Sequence, residues 1–259
     1  MGFPALYVGM GAAMIMNLPF KVMSLYSTIW MRSRARVVVK GLDELPLRVR
    51  GEKRVYLLLN HSTTFDIVAL MHASKEPFAI LMDKGAFAFP VVRRFLKGAG
   101  FIPLDKEDSK SAVQKCIDTV NSGRPLLISL HDGDSTLGEW GRPRTGGIRI
   151  AHLTGATVYP IFLKVEDDKI RRLSFKGVNG IEYSYTTFRN SFYFIEFLKP
   201  IDLSGLPSEP SYEDYAEVAK TLDEKAEAVE SRYETFLSTN RERFAPLRRR
   251  GGTRFRVAW

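Results

Sequence analysis

The stretch Val55-Tyr56-Leu57-Leu58-Leu59-Asn60-His61-Ser62-Thr63-Thr64-Phe65-Asp66 runs from an unbroken apolar segment into a histidine and, five positions later, an aspartate. Residues 55–59 do not alternate as a half-exposed strand does. They read as a strand covered on both faces, the kind found in parallel sheets. In such sheets chemistry collects in the loop beyond the C-terminal end of a strand, and His61 stands in that loop. A histidine titrates near neutral pH, and a carboxylate on one ring nitrogen would fix its tautomer and leave the other nitrogen free to take a proton from a hydroxyl. Asp66 is the candidate for that carboxylate. The same residues support a second reading: Thr63-Thr64-Phe65-Asp66 has the spacing of a capping box, with Thr63 capping a helix over 67–73 and Asp66 folding back onto the cap amide. Spacing leaves both readings open.

On either side of this stretch, strand and helix patterns alternate. Residues 35–39, 78–82, 101–104, 126–130, 157–164 and 192–198 read as further strands. Residues 89–96 read as a basic helix and 109–121 as a helix charged on one side, while 211–244 read as a long charged helix or pair of helices opened by a Ser211-Tyr212-Glu213-Asp214 cap. The repeated strand, loop, helix order predicts an α/β fold with a mainly parallel central sheet flanked by helices. An N-terminal membrane-associated helical motif precedes it. The expected organisation is a hydrophobic anchor at 1–34, a catalytic domain at 35–205, and a helical extension with a basic tail at 206–259.

A chain of 259 residues with 45% hydrophobic content can bury a sizeable core. Its one cysteine, Cys116, excludes an intramolecular disulfide and reads as a buried structural thiol. The four histidines, His61, His72, His131 and His152, form no metal-ligand spacing, so no metal is expected. The formal charge is +9, and residues 241–259 hold seven arginines against one glutamate. Such charge suits nucleic acid or an anionic membrane, but no helix-turn-helix, zinc finger or paired aromatic RNA-binding signature is present, and no nucleic-acid partner is expected.

The first 31 residues tip the balance toward a membrane, because Lys21 is their single charged side chain and Arg32, Arg34 and Arg36 follow at once. The apolar run over 3–20 approaches the ~20 residues that span a bilayer as a helix. Pro19 and Lys21 interrupt it, predicting two short helices lying in one leaflet. A secretory signal would begin with basic residues, which are absent, and the arginines after the apolar run favour a monotopic or peripheral protein on the cytoplasmic face. Myristoylation is excluded by Leu6, which stands where Ser or Thr is needed.

Asn60-His61-Ser62-Thr63-Thr64-Phe65-Asp66 resembles the Asn-His-x4-Asp block of the glycerophospholipid acyltransferases. Three more blocks occur in that family's order. Asp83-Lys84-Gly85-Ala86-Phe87-Ala88-Phe89-Pro90, continuing to Gly100-Phe101-Ile102-Pro103-Leu104-Asp105-Lys106, is similar to the second block, with Lys106 in place of a usual arginine. Thr145-Gly146-Gly147-Ile148-Arg149-Ile150-Ala151 and Ala156-Thr157-Val158-Tyr159-Pro160-Ile161 resemble the helix and strand that close the catalytic domain. The third block departs: where the family shows Phe-Pro-Glu-Gly-Thr-Arg, this chain has Leu130-His131-Asp132-Gly133-Asp134-Ser135. Gly133 is kept and the acid shortened to Asp132. Ser135 replaces the arginine that the family is thought to use for acceptor phosphate, and Asp134 adds a negative charge beside it, so another cation would have to meet a phosphate.

The resemblance covers residues 35–202 and implies acyl transfer from an acyl thioester to a hydroxyl of a lyso-lipid or related acceptor, without a covalent acyl-enzyme. His61 would be the general base and Asp66 its orienting partner. Lys106, Asp132, Gly133, Arg144 and Arg149 would bind acceptor or donor. Apart from the donor, acyl-CoA or acyl-carrier protein, no cofactor is implied; the partners are membrane lipid and that donor. Ile102 or Pro103 marks the region that would supply a backbone amide to the oxyanion, although Pro103 has no N–H. Two other classes stay open: a non-catalytic membrane-binding member of the fold, and a lipid or thioester hydrolase in which water replaces the acceptor. Ser62 is a poor nucleophile, lacking the Gly-x-Ser-x-Gly turn of lipases.

Overall fold

Strand β2 (Arg54–Leu58) lies in the middle of a seven-stranded sheet, and the two sides of that sheet account for its unbroken apolar run. Val55, Leu57 and Leu59 enter one core, Tyr56 and Leu58 the other. The chain is described by a computed structural model at residues 6–41, 52–74, 76–87, 90–105, 107–131, 141–176 and 182–240. Across the sheet the order is β1 (Ala35–Lys40), β9 (Ser191–Phe197), β6 (Thr157–Val165), β2, β5 (Leu126–Ser129), β3 (Ala79–Asp83) and β4 (Phe101–Leu104). Strands β2 through β6 all run one way. β9 is antiparallel to β6, and β1 pairs parallel with β9, so these two form a reversed edge on the expected, mainly parallel α/β sheet.

Helices cover both faces. α1 (Leu6–Arg34), α2 (Asp66–Ser74) and α3 (Pro90–Ala99) pack on the Tyr56 side. α4 (Ser109–Asn121), α5 (Gly146–Thr154) and α6 (Tyr212–Thr239) pack on the Val55 side, where Cys116 is buried and its thiol is pushed up to about 12 by that burial. α6 is one helix rather than a pair. It begins with a reciprocal capping box, Ser211 Oγ accepting from Asp214 N and Asp214 Oδ2 accepting from Ser211 N. Arg232 Nη2 and Tyr233 Oη on α6 donate to Glu196 on β9 at 2.7 and 2.8 Å, and Lys164 Nζ on β6 donates to Glu230 at 2.7 Å, pinning the helix across the reversed edge.

The expected pair of short N-terminal helices is a single helix of 29 residues that continues through Pro19. A proline inside a helix removes a hydrogen bond and usually kinks it. Here packing compensates: the Pro19 ring lies against α3 where Gly98 has no side chain, and Phe20, Ser27 and Met31 are at most 5% exposed in the core. The opposite side of α1 carries Val22, Leu25, Tyr26 and Ile29, between 52% and 63% exposed. Of the arginines that follow, Arg32 alone is exposed; Arg34 lies over the Trp30 ring at 5.7 Å, and Arg36 is buried in β1. Among the described residues no helix is long and apolar enough to cross a membrane.

One element was not expected. β7 (Ile170–Lys176) and β8 (Glu182–Phe188) form a separate antiparallel hairpin between β6 and β9. Its base is buried at Thr186, Thr187 and Phe188 and leans on the loop that follows β2.

Candidate active site

The β2 chain leaves the sheet through an exchange of partners at Asn60. Leu59 N still donates to Ile161 O at 2.8 Å, as a strand residue would. At Asn60 the side chain takes over: its Oδ1 accepts from Leu163 N at 2.8 Å and its Nδ2 donates to Leu163 O. The side-chain amide thus imitates one more backbone rung, and the main chain is released to turn away. Ser62 Oγ donates to the same Leu163 oxygen at 2.9 Å, so this serine holds the loop and is not poised as a nucleophile.

His61 Nδ1 then lies 3.0 Å from Asp66 Oδ2. Asp66 is fully buried and accepts four further hydrogen bonds. Ser62 N donates to Oδ2 at 2.7 Å, while Thr63 N and Thr63 Oγ1 both donate to Oδ1 at 2.9 Å. Tyr193 Oη on β9 donates to Oδ1 as well. The histidine reading is realised and the capping-box reading only in part: Asp66 folds back on the Thr63 amide, but Thr63 Oγ1 donates to Asp66 Oδ1 and accepts from Phe65 N, and Asp66 N goes to Thr63 O instead. The helix itself begins at Asp66 rather than just after Thr63, so a negative charge sits in the first turn of α2, where the helix dipole favours it.

An ionised carboxylate only accepts, so opposite Asp66 the proton of a neutral imidazole sits on Nδ1 and the lone pair on Nε2. Nε2 has no hydrogen-bond partner among the described residues, and the side chain is 21% exposed, enough for one face to meet a ligand. This is the arrangement of an oriented general base.

The loop is gripped from outside by two other elements. Thr64 N donates to Thr186 Oγ1 at 2.9 Å and Thr186 N donates back to Thr64 Oγ1 at 3.0 Å. Phe65 stacks on Trp30 of α1 at 4.2 Å and meets the edge of Tyr185 at 6.2 Å. Reading the sequence missed Tyr193, Thr186 and Trp30, since nothing in an apolar strand or a membrane-like helix marks one polar atom as facing a distant loop. Asn60 belongs to the sequence motif, but nothing in the sequence marks its rung-like role.

The binding candidates divide. Lys106, Asp132 and Gly133 lie outside the described residues, as do Asp134 and Ser135. Arg144 is brought to the site's edge of the sheet: its N donates to Leu130 O at 2.6 Å, and Leu130 N donates to Leu58 O at 2.8 Å, three residues before His61. Arg149 is in the first turn of α5, which approaches so closely that a Cβ on Gly147 would come within 2.9 Å of Leu57 and 2.8 Å of Ile128. Both arginines are exposed. His131 Nδ1 faces Gly141 O at 2.6 Å, tying Gly141 back to the end of β5, and its Nε2 is 3.0 Å from Asp223 on α6. In the second block Lys84 and Asp105 form an exposed ion pair of 2.8 Å, in which the hydrogen bond raises the lysine pKa and lowers that of the carboxyl. Ile102 is on edge strand β4, with β3 and β5 between it and β2. Three strand spacings make that roughly 14 Å across the sheet, too far for its amide to reach an oxyanion held beside His61. Among the described residues no three or more His, Cys, Asp or Glu side chains are grouped to hold a metal ion.

The sequence model of the Acyltransferase family matches residues 36–164, which contain β2, the His61 loop, Asp66 and α5. The chain belongs to the acyltransferase family. That bears out the family expected from the four sequence blocks. Among solved structures, this acyltransferase is similar to the crystal structure of the 1-acyl-sn-glycerophosphate (LPA) acyltransferase PlsC from Thermotoga maritima, at 16% sequence identity and a TM-score of 0.58, over 82% of this chain and 79% of that one. At that identity the likeness is one of fold, a mostly parallel sheet flanked by helices. No curated protein sequence gives a significant match. Trp30, Thr186 and Tyr193, which hold the His61 loop and Asp66, all fall outside the segment that the family model matches.

Proposed function

We propose that this acyltransferase moves a fatty acyl group from an acyl thioester to a hydroxyl of a lyso-lipid or related lipid acceptor. The observation that carries the proposal is the His61 and Asp66 pair, with Nδ1 held at 3.0 Å and Nε2 open. In this mechanism the acceptor O–H gives its proton to His61 Nε2 as its oxygen attacks the thioester carbonyl. Asp66 stabilises the imidazolium that forms. The tetrahedral intermediate then expels sulfur, the C–S bond breaks, and the imidazolium returns the proton to the thiolate. No acyl-enzyme is needed, in keeping with Ser62 being committed to Leu163 O.

The donor is acyl-CoA or acyl-carrier protein, both anionic, and the exposed Arg93, Arg94 and Lys97 of α3 supply attracting charge. Lys106, Asp132, Gly133, Arg144 and Arg149 make up the acceptor or donor contacts in this reading. The relative PlsC is named for a phosphorylated acceptor, 1-acyl-sn-glycerophosphate. Here Ser135 stands where the family has an arginine, so a phosphate would be met by Arg144, Arg149 or Lys106 instead.

Membrane lipid is the second partner. Val22, Leu25, Tyr26 and Ile29 follow the i, i+3, i+4, i+7 spacing of one helix face, and Lys21 and Arg32 are exposed at its two ends. An apolar face bordered by cations suits a helix lying in one leaflet, with the protein monotopic or peripheral on the cytoplasmic side. Lying there spares the acceptor a passage of its acyl chain through water, about 0.8 kcal/mol per CH2.

The deciding experiment is incubation of purified protein with a labelled acyl thioester and a panel of lyso-lipids presented in vesicles, followed by mass analysis. The expected result is a new lipid ester that disappears in His61→Ala. Release of labelled fatty acid alone would make the protein a hydrolase, and absence of any turnover across the panel would leave a non-catalytic member of the fold.

A further inference from the structure

We infer that Tyr193 is a positioning residue of the reaction: its hydroxyl references the Asp66 carboxylate to the central sheet and sets the strength of His61 as a base. The inference rests on the proposed role of His61 and Asp66.

Five donors meet the two oxygens of Asp66, and four of them come from residues 61–63, the loop itself. Those four move with the loop and cannot fix it relative to anything else. Tyr193 is different. It lies 127 positions away on β9, between β1 and β6, with its side chain fully buried against Phe188 at 5.2 Å. Its bond to Oδ1 is therefore the one that ties the carboxylate to the rigid sheet, leaving Oδ2 turned toward Ser62 N and His61 Nδ1.

The phenol is a donor by necessity. Burial, followed by the neighbouring Asp66 charge, raises its pKa well above the ordinary tyrosine value, so it stays neutral throughout the working pH range. A neutral donor on Oδ1 draws negative charge away from Oδ2. The charge that would stabilise an imidazolium is thereby moderated, and His61 gives up its proton to the departing thiolate more readily than it would beside an unshared carboxylate. Thr63 N and Oγ1 add to the withdrawal of charge, since both also donate to Oδ1, but they belong to the same loop and supply no tie to the sheet.

Tyr193→Phe keeps the ring and removes the hydroxyl. The expected result is a fall in kcat of about tenfold, the scale of one hydrogen bond to a charged group, with KM for donor and acceptor within about twofold of wild type. At the same time the acid limb of the pH–rate profile should move up by roughly half a unit to one unit, because the imidazolium gains a fuller charge opposite it. A filling role alone would leave that limb in place. Placing 3-fluorotyrosine at position 193 sharpens the donor and should move the limb the other way; it also serves if the phenylalanine variant does not fold. An unchanged acid limb in a folded variant overturns the inference, as does a rise in KM with kcat intact, which would assign the hydroxyl to substrate binding. His61→Ala measured alongside separates the two failures: if it stays active, the general-base reading itself is lost, whereas an inactive His61→Ala beside an unaffected Tyr193→Phe sinks only the role of Tyr193.

Discussion

His61→Ala is expected to lower acyl transfer at least ~100-fold while leaving the fold intact, since the side chain is partly exposed in a loop and removes one bond to Asp66. Normal turnover in a variant with a native circular-dichroism spectrum would refute the assignment. Asp66→Asn is a different experiment. Asparagine offers one carbonyl oxygen and an NH2 group to a pocket of five donors, so at least two buried donors would face a donor. We predict a loss of stability of about 1–3 kcal/mol together with the loss of rate, read by urea denaturation and by turnover. A dead enzyme of wild-type stability would mean that the pocket can rearrange around the amide. The pair itself is legible in the sequence because both residues lie within one loop at a spacing that geometry can use. Tyr193 is not, for its phenol is one aromatic among several in Ser191–Phe197 and only the completed sheet aims it at Asp66.

At the scale of elements, strands buried on both faces announce themselves as apolar runs, and β2, β4 and β5 fall within a residue of where those runs place them. The β7–β8 hairpin does not. Arg171, Arg172, Leu173 and Ser174 are exposed, so its first strand has no buried stripe and reads as a polar connection. α1 was misread for the opposite reason: Pro19 looks like a break until its ring is seen to fit over Gly98. This helix has one face in the core and another in solvent, which decides how membrane attachment is to be tested. Cutting the chain at Arg32 would delete Phe20, Ser27 and Met31 from the core and would unfold what it was meant to release. The double substitution Leu25→Glu with Ile29→Glu instead touches positions 63% and 62% exposed. Its effect on stability should stay within about 0.5 kcal/mol, as for other surface changes. Wild type should remain on anionic vesicles at ~1 M salt, where attraction between charges is screened within ~3 Å, and the double variant should come off. Continued binding of the variant at high salt would take the apolar face of α1 out of the account.

For the molecule as a whole, buried phenols set an alkaline limit. Tyr56, Tyr159, Tyr193 and Tyr233 are each held above the ordinary tyrosine pKa, first by burial and then by the neighbouring carboxylates of Glu76, Glu52, Asp66 and Glu196. A raised pKa of this kind leaves stability complete below about pH 10, where both states keep the proton, and removes it above, where only the unfolded chain lets the proton go. Each phenol accounts for about 1.4 kcal/mol per pH unit in that window, so the four together give a slope of up to about 5.5 kcal/mol per unit. Urea denaturation between pH 9 and 11 measures it, and Tyr56→Phe should flatten the slope by about a quarter. A flat profile to pH 11 would contradict the burial of these groups. Topology was the least legible property at this scale: local sequence predicts that β1 is a strand, but its parallel pairing with β9 depends on residues far along the chain. That pairing has a consequence for how the protein is made. Ala35 finds its partner in Ser191, so β1 cannot complete its pairing until more than ~150 further residues have been added, roughly eight to thirty seconds at ordinary rates of synthesis. During that interval Phe20 and Met31 have no finished core to enter, and the nascent α1 segment is a ready client for a chaperone or for a nearby bilayer.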